Sequence, residues 1–484
     1  MNLFHTMTSK ITTCTLVFLM ILAACSDTVS GDGPENPPEI DLVERNLRRA
    51  MELTDAAVAS HFTGDGMAMA RYYNPYTNVR SEEKGSVWMY TAAIEAVNAI
   101  LHALDAQKAA GNTTLYNEHF ERYEDLMSRL VDNADYYMGT FELVSYTQTK
   151  EWSVYGVNRG GAKGTANVAG VENVYDDQQW LIRELLEAYK VTDEVAYLEK
   201  AEYLTEYVLD GWDCTREANG NERGGIPWGP GYVTKHSCSN GPMVSPLVWL
   251  HEIYKTKNDE VTYRYIDATD KQTRVSTQVK KADYYLDFAK KIYAWQKSQL
   301  IRSDGVYDDM RGGCSPGSPS TENIDGTVYR RGGNCVDRVG PAITYNSGTM
   351  LSGGADLYRA TGDNAYLTDS KKLSDDSFKY FAKLGQQKEG YYTYDISGFR
   401  NWFNGVLMRG YVDVHPSYET ASGYIDSFQK NLDYGYDNFA YKGFLPTSLL
   451  AGWNRDNSKN NTEGMFNFTF AAEYAVLARY EIQK

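Results

Sequence analysis

The sequence predicts an all-α protein arranged as a six-hairpin toroid, and three observations carry that prediction. Apolar residues recur at helical spacing almost throughout from Asp41 onward. One segment repeats within the chain, and about twelve candidate helices can be counted by their periodicity. Helical hairpins cannot bury their apolar faces singly and must stack on neighbours. Closing six of them into a ring, inner helices around an axis and outer helices on solvent, uses all twelve. An open superhelix of hairpins is the rival arrangement.

The elements follow in chain order. Lys10 precedes an apolar run, Ile11 to Leu22, that ends in Leu22-Ala23-Ala24-Cys25. A basic residue, a short apolar stretch and small residues before a cut form a secretory signal, too short to span a membrane. The cysteine placed after Leu-Ala-Ala resembles a bacterial lipobox. It implies a signal over residues 1–24, lipid attachment at Cys25 and an outer-membrane or periplasmic lipoprotein of a Gram-negative bacterium. The Pro- and Gly-rich stretch to residue 40 reads as a flexible tether, and residues 41–484 as one domain, expected to be a monomer.

Leu42 to Ser60, Val87 to Leu104 and Tyr116 to Tyr137 open the helical part. The segment Glu187–Leu198, followed by Leu204, aligns without gaps with Asp356–Leu367, followed by Leu373. Each copy is the end of one helix, a tight turn and the start of the next. A third copy begins at Glu252 and resumes at Tyr285, split by an insertion near Val261 to Lys281 expected to be a surface loop. Strand-like alternation is confined to short pieces such as Tyr391 to Tyr394. Gly-rich segments at Gly156–Gly170, Asn219–Gly231, Arg311–Gly340 and Gly398–Gly405 fall where loops would gather at one rim of the ring and build a cleft.

Composition narrows the partners. The net charge is −16, which argues against nucleic acid, since phosphate binding wants clustered Lys and Arg. It also disfavours anionic polysaccharides and leaves neutral ligands open. Thirty-nine tyrosines supply flat apolar faces with polar handles, which suit sugar rings as well as helix packing. Beyond the leader, Cys214, Cys238, Cys314 and Cys335 form an even set in an oxidising compartment. Local pairing, Cys214 with Cys238 and Cys314 with Cys335, would staple two Gly-rich loops. No CxxC, HExxH or paired metal spacing appears, and no GxSxG elbow or phosphate-cradling loop, so neither metal nor cofactor is expected.

The stretch that carries chemistry is Val174-Tyr175-Asp176-Asp177-Gln178-Gln179-Trp180, running into the helical pattern Leu181 to Lys190. Acids at a helix start also complement its dipole, so the pair alone could be a cap. Two adjacent carboxyls flanked by aromatics nevertheless match glycoside hydrolysis. One group protonates the leaving oxygen and the other attacks or activates water.

The ordered set of motifs resembles glycoside hydrolase family 76, the endo-α-1,6-mannanases, over about residues 80 to 480. The set comprises Tyr175-Asp176-Asp177, the Glu187–Leu198 turn, Gly211-Trp212-Asp213, Gly224-Gly225-Ile226-Pro227-Trp228, Thr344-Tyr345-Asn346-Ser347-Gly348 and Asn404-Gly405-Val406-Leu407-Met408-Arg409. The resemblance implies an (α/α)6 barrel, net retention of configuration, Asp176 as nucleophile and Asp177 as general acid/base. The Val261–Lys281 insert and the Cys-bearing loop Arg311–Asp337 depart from the family's pattern. Trp180, Trp228, Tyr345 and Trp402 are candidate sugar platforms beside Tyr175. Asn240, Asn346 and Arg409 are candidates to bond hydroxyls. The second acidic pair, Asp308-Asp309, reads as a loop turn that could reach sugar hydroxyls, with Asp308 the candidate. The substrate expected is α-mannan. The rival readings are a non-catalytic glycan-binding lipoprotein and another six-hairpin enzyme such as a lyase or epimerase.

Overall fold

The computed structural model describes residues 41–484. The leader, Cys25 and the tether lie outside the described residues. Among the described residues, twelve α-helices alternate between inner and outer positions. They are α1 (Leu42–His61), α2 (Val87–Ala109), α3 (Thr114–Ala134), α4 (Tyr175–Thr192), α5 (Val195–Asp210) and α6 (Val244–Tyr254). The second half supplies α7 (Lys281–Leu300), α8 (Thr344–Thr361), α9 (Asn364–Phe381), α10 (Arg400–Val414), α11 (Ala421–Phe439) and α12 (Gly464–Gln483).

The even-numbered helices form the inner ring: α2 packs on α4, α4 on α6, α6 on α8, α8 on α10, α10 on α12, and α12 back on α2. That last contact closes the ring and excludes the open superhelix. Each odd-numbered helix covers one inner helix, α3 on α2 through α11 on α10, with α1 on α12. Side-chain pattern decides the position. Sixteen of the twenty residues of α12 are buried, against four of eighteen in α9. A helix apolar on all sides goes inside and an amphipathic one goes outside. α2 is long and apolar enough to cross a membrane, and here its faces are buried against its neighbours.

The internal repeat is one turn used twice. Asp193 (φ 57°) and Gly362 (φ 69°) occupy equivalent left-handed positions at the ends of α4 and α8. In both copies a threonine, Thr192 or Thr361, donates back to the helix and accepts the N–H two residues on. The next residue, Glu194 or Asp363, then caps the following helix. Between α8 and α10 the backbones nearly touch. A Cβ on Gly348 would lie 2.5 Å from the Val406 carbonyl oxygen, and one on Gly410 would lie 2.7 Å from that of Gly348.

Three expectations are corrected. The Val261–Lys281 insertion is no irregular loop but an antiparallel hairpin, Glu260–Ile266 with Arg274–Lys280. Its β-branched and aromatic residues favour a pleated surface. A second hairpin of equal length, Met138–Val144 with Thr149–Tyr155, packs beside α4. The segment Gly398–Gly405 is loop only to Phe399, since α10 starts at Arg400 and Gly405 lies inside it. Of the cysteine pairs, Cys314–Cys335 is bonded, whereas Cys214 and Cys238 are free. The chain between them doubles back, leaving Cys214 packed near Trp212 and Phe288 while Cys238 faces the cleft.

Candidate active site

Asp176 and Asp177 are the second and third residues of α4. Loops at one rim of the ring and the tips of α2, α4 and α10 enclose them in a cleft of about 590 Å³. Its floor is aromatic. Trp402 lies edge-on to Trp180 at 4.6 Å and to Trp88 at 5.2 Å, and Tyr345 sits 5.8 Å from Trp180. The Trp180 indole N–H donates to the Tyr345 hydroxyl (2.8 Å), and that of Trp402 donates to Glu95 (2.8 Å). These bonds satisfy the polar ends of rings sunk in the core and fix their orientation.

Trp228 clamps the mouth of α4 twice. Its carbonyl accepts the Tyr175 N–H (2.7 Å), and its indole N–H reaches the Asp176 carboxylate (3.3 Å). The loop that carries it turns through Gly224 and Gly225, both at positive φ and both against Trp295, where a side chain would collide. Buried Asn240 ties that loop together, accepting from the Ile226 N–H and donating to the carbonyls of Ile226 and His236. His236 stacks on Trp228 at 4.9 Å, and burial lowers it to about 4, so the imidazole is neutral.

The two catalytic candidates differ in environment. Burial raises Asp176, while the Cys238 thiol, the Trp228 indole and the N–H groups at the start of α4 favour its charged form. One of its oxygens, Oδ1, is buried with no hydrogen-bond partner. Asp177 is pushed well above the usual carboxyl range by burial and by the charge on Asp176. Among the described residues no group is hydrogen-bonded to the Asp177 carboxyl. Of the two, Asp176 is therefore the one favoured as the anion and Asp177 the one favoured as the acid. The Cys238 thiol, raised by burial and the neighbouring acids, stays protonated as a donor.

Asp309 is a third carboxyl in the cleft, pushed up to about 6 by burial and the charge of Asp176. It, rather than Asp308, is the member of the second acidic pair that faces inward. Asp308 turns to Arg302 at 3.3 Å. Of the other candidates, Trp180, Trp228, Tyr345 and Trp402 line the cleft, and four do not. Tyr175 is buried against Tyr207 at 5.1 Å, Asn240 is loop scaffold, Asn346 is buried and donates to the Asp308 carbonyl, and Arg409 is paired with Glu95 beneath the floor. Unforeseen lining residues are Trp88, Tyr232, His236, Cys238, Phe399 and Phe403. For Trp88 and Phe403 the only sequence signal was an aromatic near an inner-helix start.

A closed helical toroid with two neighbouring carboxyls in unlike environments over an aromatic floor is the arrangement a glycoside hydrolase needs. The sequence matches Glycosyl hydrolase family 76 over residues 88–262 and 273–432, well over half of the chain, and the chain belongs to that family. The unmatched gap falls within the inserted hairpin. A curated relative, the mannan endo-1,6-alpha-mannosidase of Saccharomyces cerevisiae, is 26% identical over 170 residues. That stretch spans 35% of this chain and 29% of the yeast protein. The solved family 76 mannosidase of Bacteroides thetaiotaomicron superposes with a TM-score of 0.64 at 19% identity, covering 91% of this chain and 99% of its own. An α-1,6-mannanase of a Salegentibacter species, solved as an inactive variant with two consecutive aspartates changed to asparagine and bound to α-1,6-mannotriose, has a TM-score of 0.57 at 19% identity. It covers 90% of this chain and 99% of its own.

Proposed function

We propose that this chain hydrolyses internal α-1,6-mannosidic linkages of α-mannan with net retention. The observation that carries the proposal is the adjacent pair Asp176 and Asp177, one favoured as anion and one as acid, opening together into an aromatic cleft. In the first step Asp176 attacks the anomeric carbon while Asp177 gives its proton to the departing glycosidic oxygen. The charge of Asp176 is spent in the glycosyl-enzyme, so one of the two causes that raised Asp177, the neighbouring anion, is removed, and Asp177, having given up its proton, becomes the base that activates water. Water then attacks, Asp176 leaves as carboxylate, and both protonation states are restored.

Family membership supports hydrolysis over the passive receptor, which has no use for two neighbouring carboxyls of this kind. The names of the yeast and Salegentibacter relatives support an α-1,6-mannan substrate. Support for internal cleavage comes from a second groove of about 630 Å³ that meets the cleft at Ile343 and runs on past Tyr380, Gln387 and Arg400. A polymer bound across both would be cut at an internal linkage. On sequence grounds alone, Cys25 anchors the enzyme to a membrane by lipid, a proposal that metabolic labelling with a fatty acid tests. The function is tested by incubation with linear α-1,6-mannan. Early products of mixed length, with the α-anomer formed first, are expected. Bound but uncut polymer would restore the receptor reading, and unsaturated products would indicate a lyase.

A further inference from the structure

A groove of about 700 Å³ outside the catalytic cleft breaks the electrostatic pattern of the chain. The protein carries a net charge of −16, yet this groove is lined by Arg216, Arg223, Lys271, Arg274 and Arg331 against two acids, Glu322 and Asp325. Neutral oxygens hold most of these cations. Arg216 donates to the Ile266 carbonyl (2.7 Å), Lys271 to that of Ala218 (2.7 Å), Arg274 to those of Gln272 (2.8 Å) and Tyr146 (3.2 Å), and Arg223 to the Asn334 side-chain oxygen. The ionic contacts are loose: Glu322 is shared between Arg274 and Arg331, each at 3.6 Å, and Glu222 stands 3.7 Å from Arg216. Asp267, in the adjoining turn, is occupied by the N–H groups of Thr269 and Asp270. Carbonyls orient a guanidinium without cancelling its charge, so the lining of the groove itself carries an excess of cations over acids.

Its position ties it to the saccharide site. One wall is the inserted hairpin, and the unmatched residues 263–272 contribute Lys271 and Gln272. The opposite wall is the hairpin Thr321–Ile324 with Thr327–Arg330, in the loop stapled by Cys314–Cys335. That loop leaves and re-enters the cleft, since a Cβ on Gly340 would meet Asp309 at 2.5 Å. From it Arg330 donates to the carbonyls of Pro230 and Tyr232, and Tyr232 lines the cleft. One wall therefore carries the residues the family match leaves out, and the other is joined to the rim of the catalytic cleft.

We propose that this groove binds phosphate esters carried on the saccharide, so that the enzyme favours phosphorylated segments of its polymer over neutral ones. Arg216 and Arg274 are sunk in the wall with their N–H groups committed to carbonyls and Glu322, so Arg223, Arg331 and Lys271 supply the donors, and a guanidinium fork suits a tetrahedral oxyanion that accepts two N–H bonds. A concave, polar trough suits a sugar-borne ester. A flat patch with apolar anchors would suit a lipid surface instead. The inference rests on the proposed mannan substrate, and its test separates the two. Full-length protein with Asp176→Asn and Asp177→Asn, which leaves the ligand uncut, is titrated calorimetrically with α-1,6-mannotetraose, the same oligosaccharide bearing a phosphomonoester, and one bearing a uronate. Vesicles containing anionic phospholipid form the fourth arm.

The phosphorylated ligand is expected to bind at least about tenfold more tightly than the neutral one, the yield of one or two charge-assisted bonds. The preference should shrink as salt rises and disappear in Lys271→Gln/Arg223→Gln/Arg331→Gln. The same triple change in the otherwise native protein should leave hydrolysis of neutral mannan intact. Equal binding of neutral and phosphorylated ligands, or a preference that survives the triple change, overturns the inference. So does uronate binding as tightly as phosphate, or charge-dependent binding confined to vesicles. Failure to cut neutral mannan would instead strike the proposed function and leave the charge preference readable.

Discussion

Replacing Trp228 with phenylalanine tests how the pair divides its protons. The change removes the indole N–H that reaches Asp176 at 3.3 Å and keeps an aromatic ring over the mouth of α4. A hydrogen bond to a charged group contributes about 1.5–3 kcal/mol. The distance is at the long end of the normal range, so the lower figure applies, about 1.5 kcal/mol. One pH unit corresponds to about 1.4 kcal/mol, so the Asp176 anion should become harder to form by about one pH unit. Asp176 acts ionised, hence the acidic limb of the kcat/KM profile should move to higher pH by that amount. The basic limb, set by loss of the Asp177 proton, should stay nearly in place. The assay is reducing-end release from α-1,6-mannan between roughly pH 4 and 9, which spans the titration of both carboxyls. Cys238→Ala removes the other side-chain donor to Asp176 and should shift the same limb in the same direction. A uniform fall in kcat/KM with an unmoved acidic limb would refute the reasoning and leave Trp228 as a packing surface.

Asp177→Asn should lower turnover of mannan by about 10²–10⁴-fold, the usual yield of positioned proton transfer, while an aryl α-mannoside with an acidic leaving group loses far less in its first step. Equal losses on both substrates in pre-steady-state kinetics would remove Asp177 from the acid role. Glu473 on α12 is pushed up from 4.5 to about 8 by burial and the Glu95 charge. Folded Glu473 keeps its proton where the unfolded chain has lost it, so its contribution erodes stability as pH rises from about 4.5 to about 8. Glu473→Gln should therefore match the native protein in chemical denaturation near pH 4 and exceed it by roughly 5 kcal/mol above pH 8. A gap independent of pH would contradict this. Gly348→Ala puts a methyl 2.5 Å from the Val406 oxygen and should cost about 1–3 kcal/mol by forcing α8 from α10, read as a lower denaturation midpoint. An unchanged midpoint would show that those helices can part freely.

Much of this architecture was legible because the helices repeat a period the solvent imposes. Leu42 to Ser60 anticipates α1 to within a residue, and the repeat anticipates the turn at Asp193 and Gly362 because both copies need a left-handed residue at the same place. Strands were less legible: Met138–Val144 and Glu260–Ile266 pair only with their own neighbours as isolated hairpins, so neither builds a long half-buried face with strict alternation. The site was legible as residue types more than as directions. Asp308 and Asp309 precede the strand Met310–Gly312, where successive side chains point to opposite faces. Pairing with Lys235–His236 sends Asp309 inward, a fact no local pattern contains. Arg409 looked like a hydroxyl donor until Glu95, 314 residues away in the chain, appeared beside it across the ring.

The central claim is that Asp176 bonds to the anomeric carbon while Asp177 moves the proton. A slowly released fluorinated α-mannosyl donor, followed by proteolysis and mass spectrometry, reads that bond directly. The account predicts one glycosyl adduct, carried on Asp176 and lost in Asp176→Asn. An adduct on Asp177 or Asp309, or full turnover of the donor with inverted product and no adduct, would contradict it.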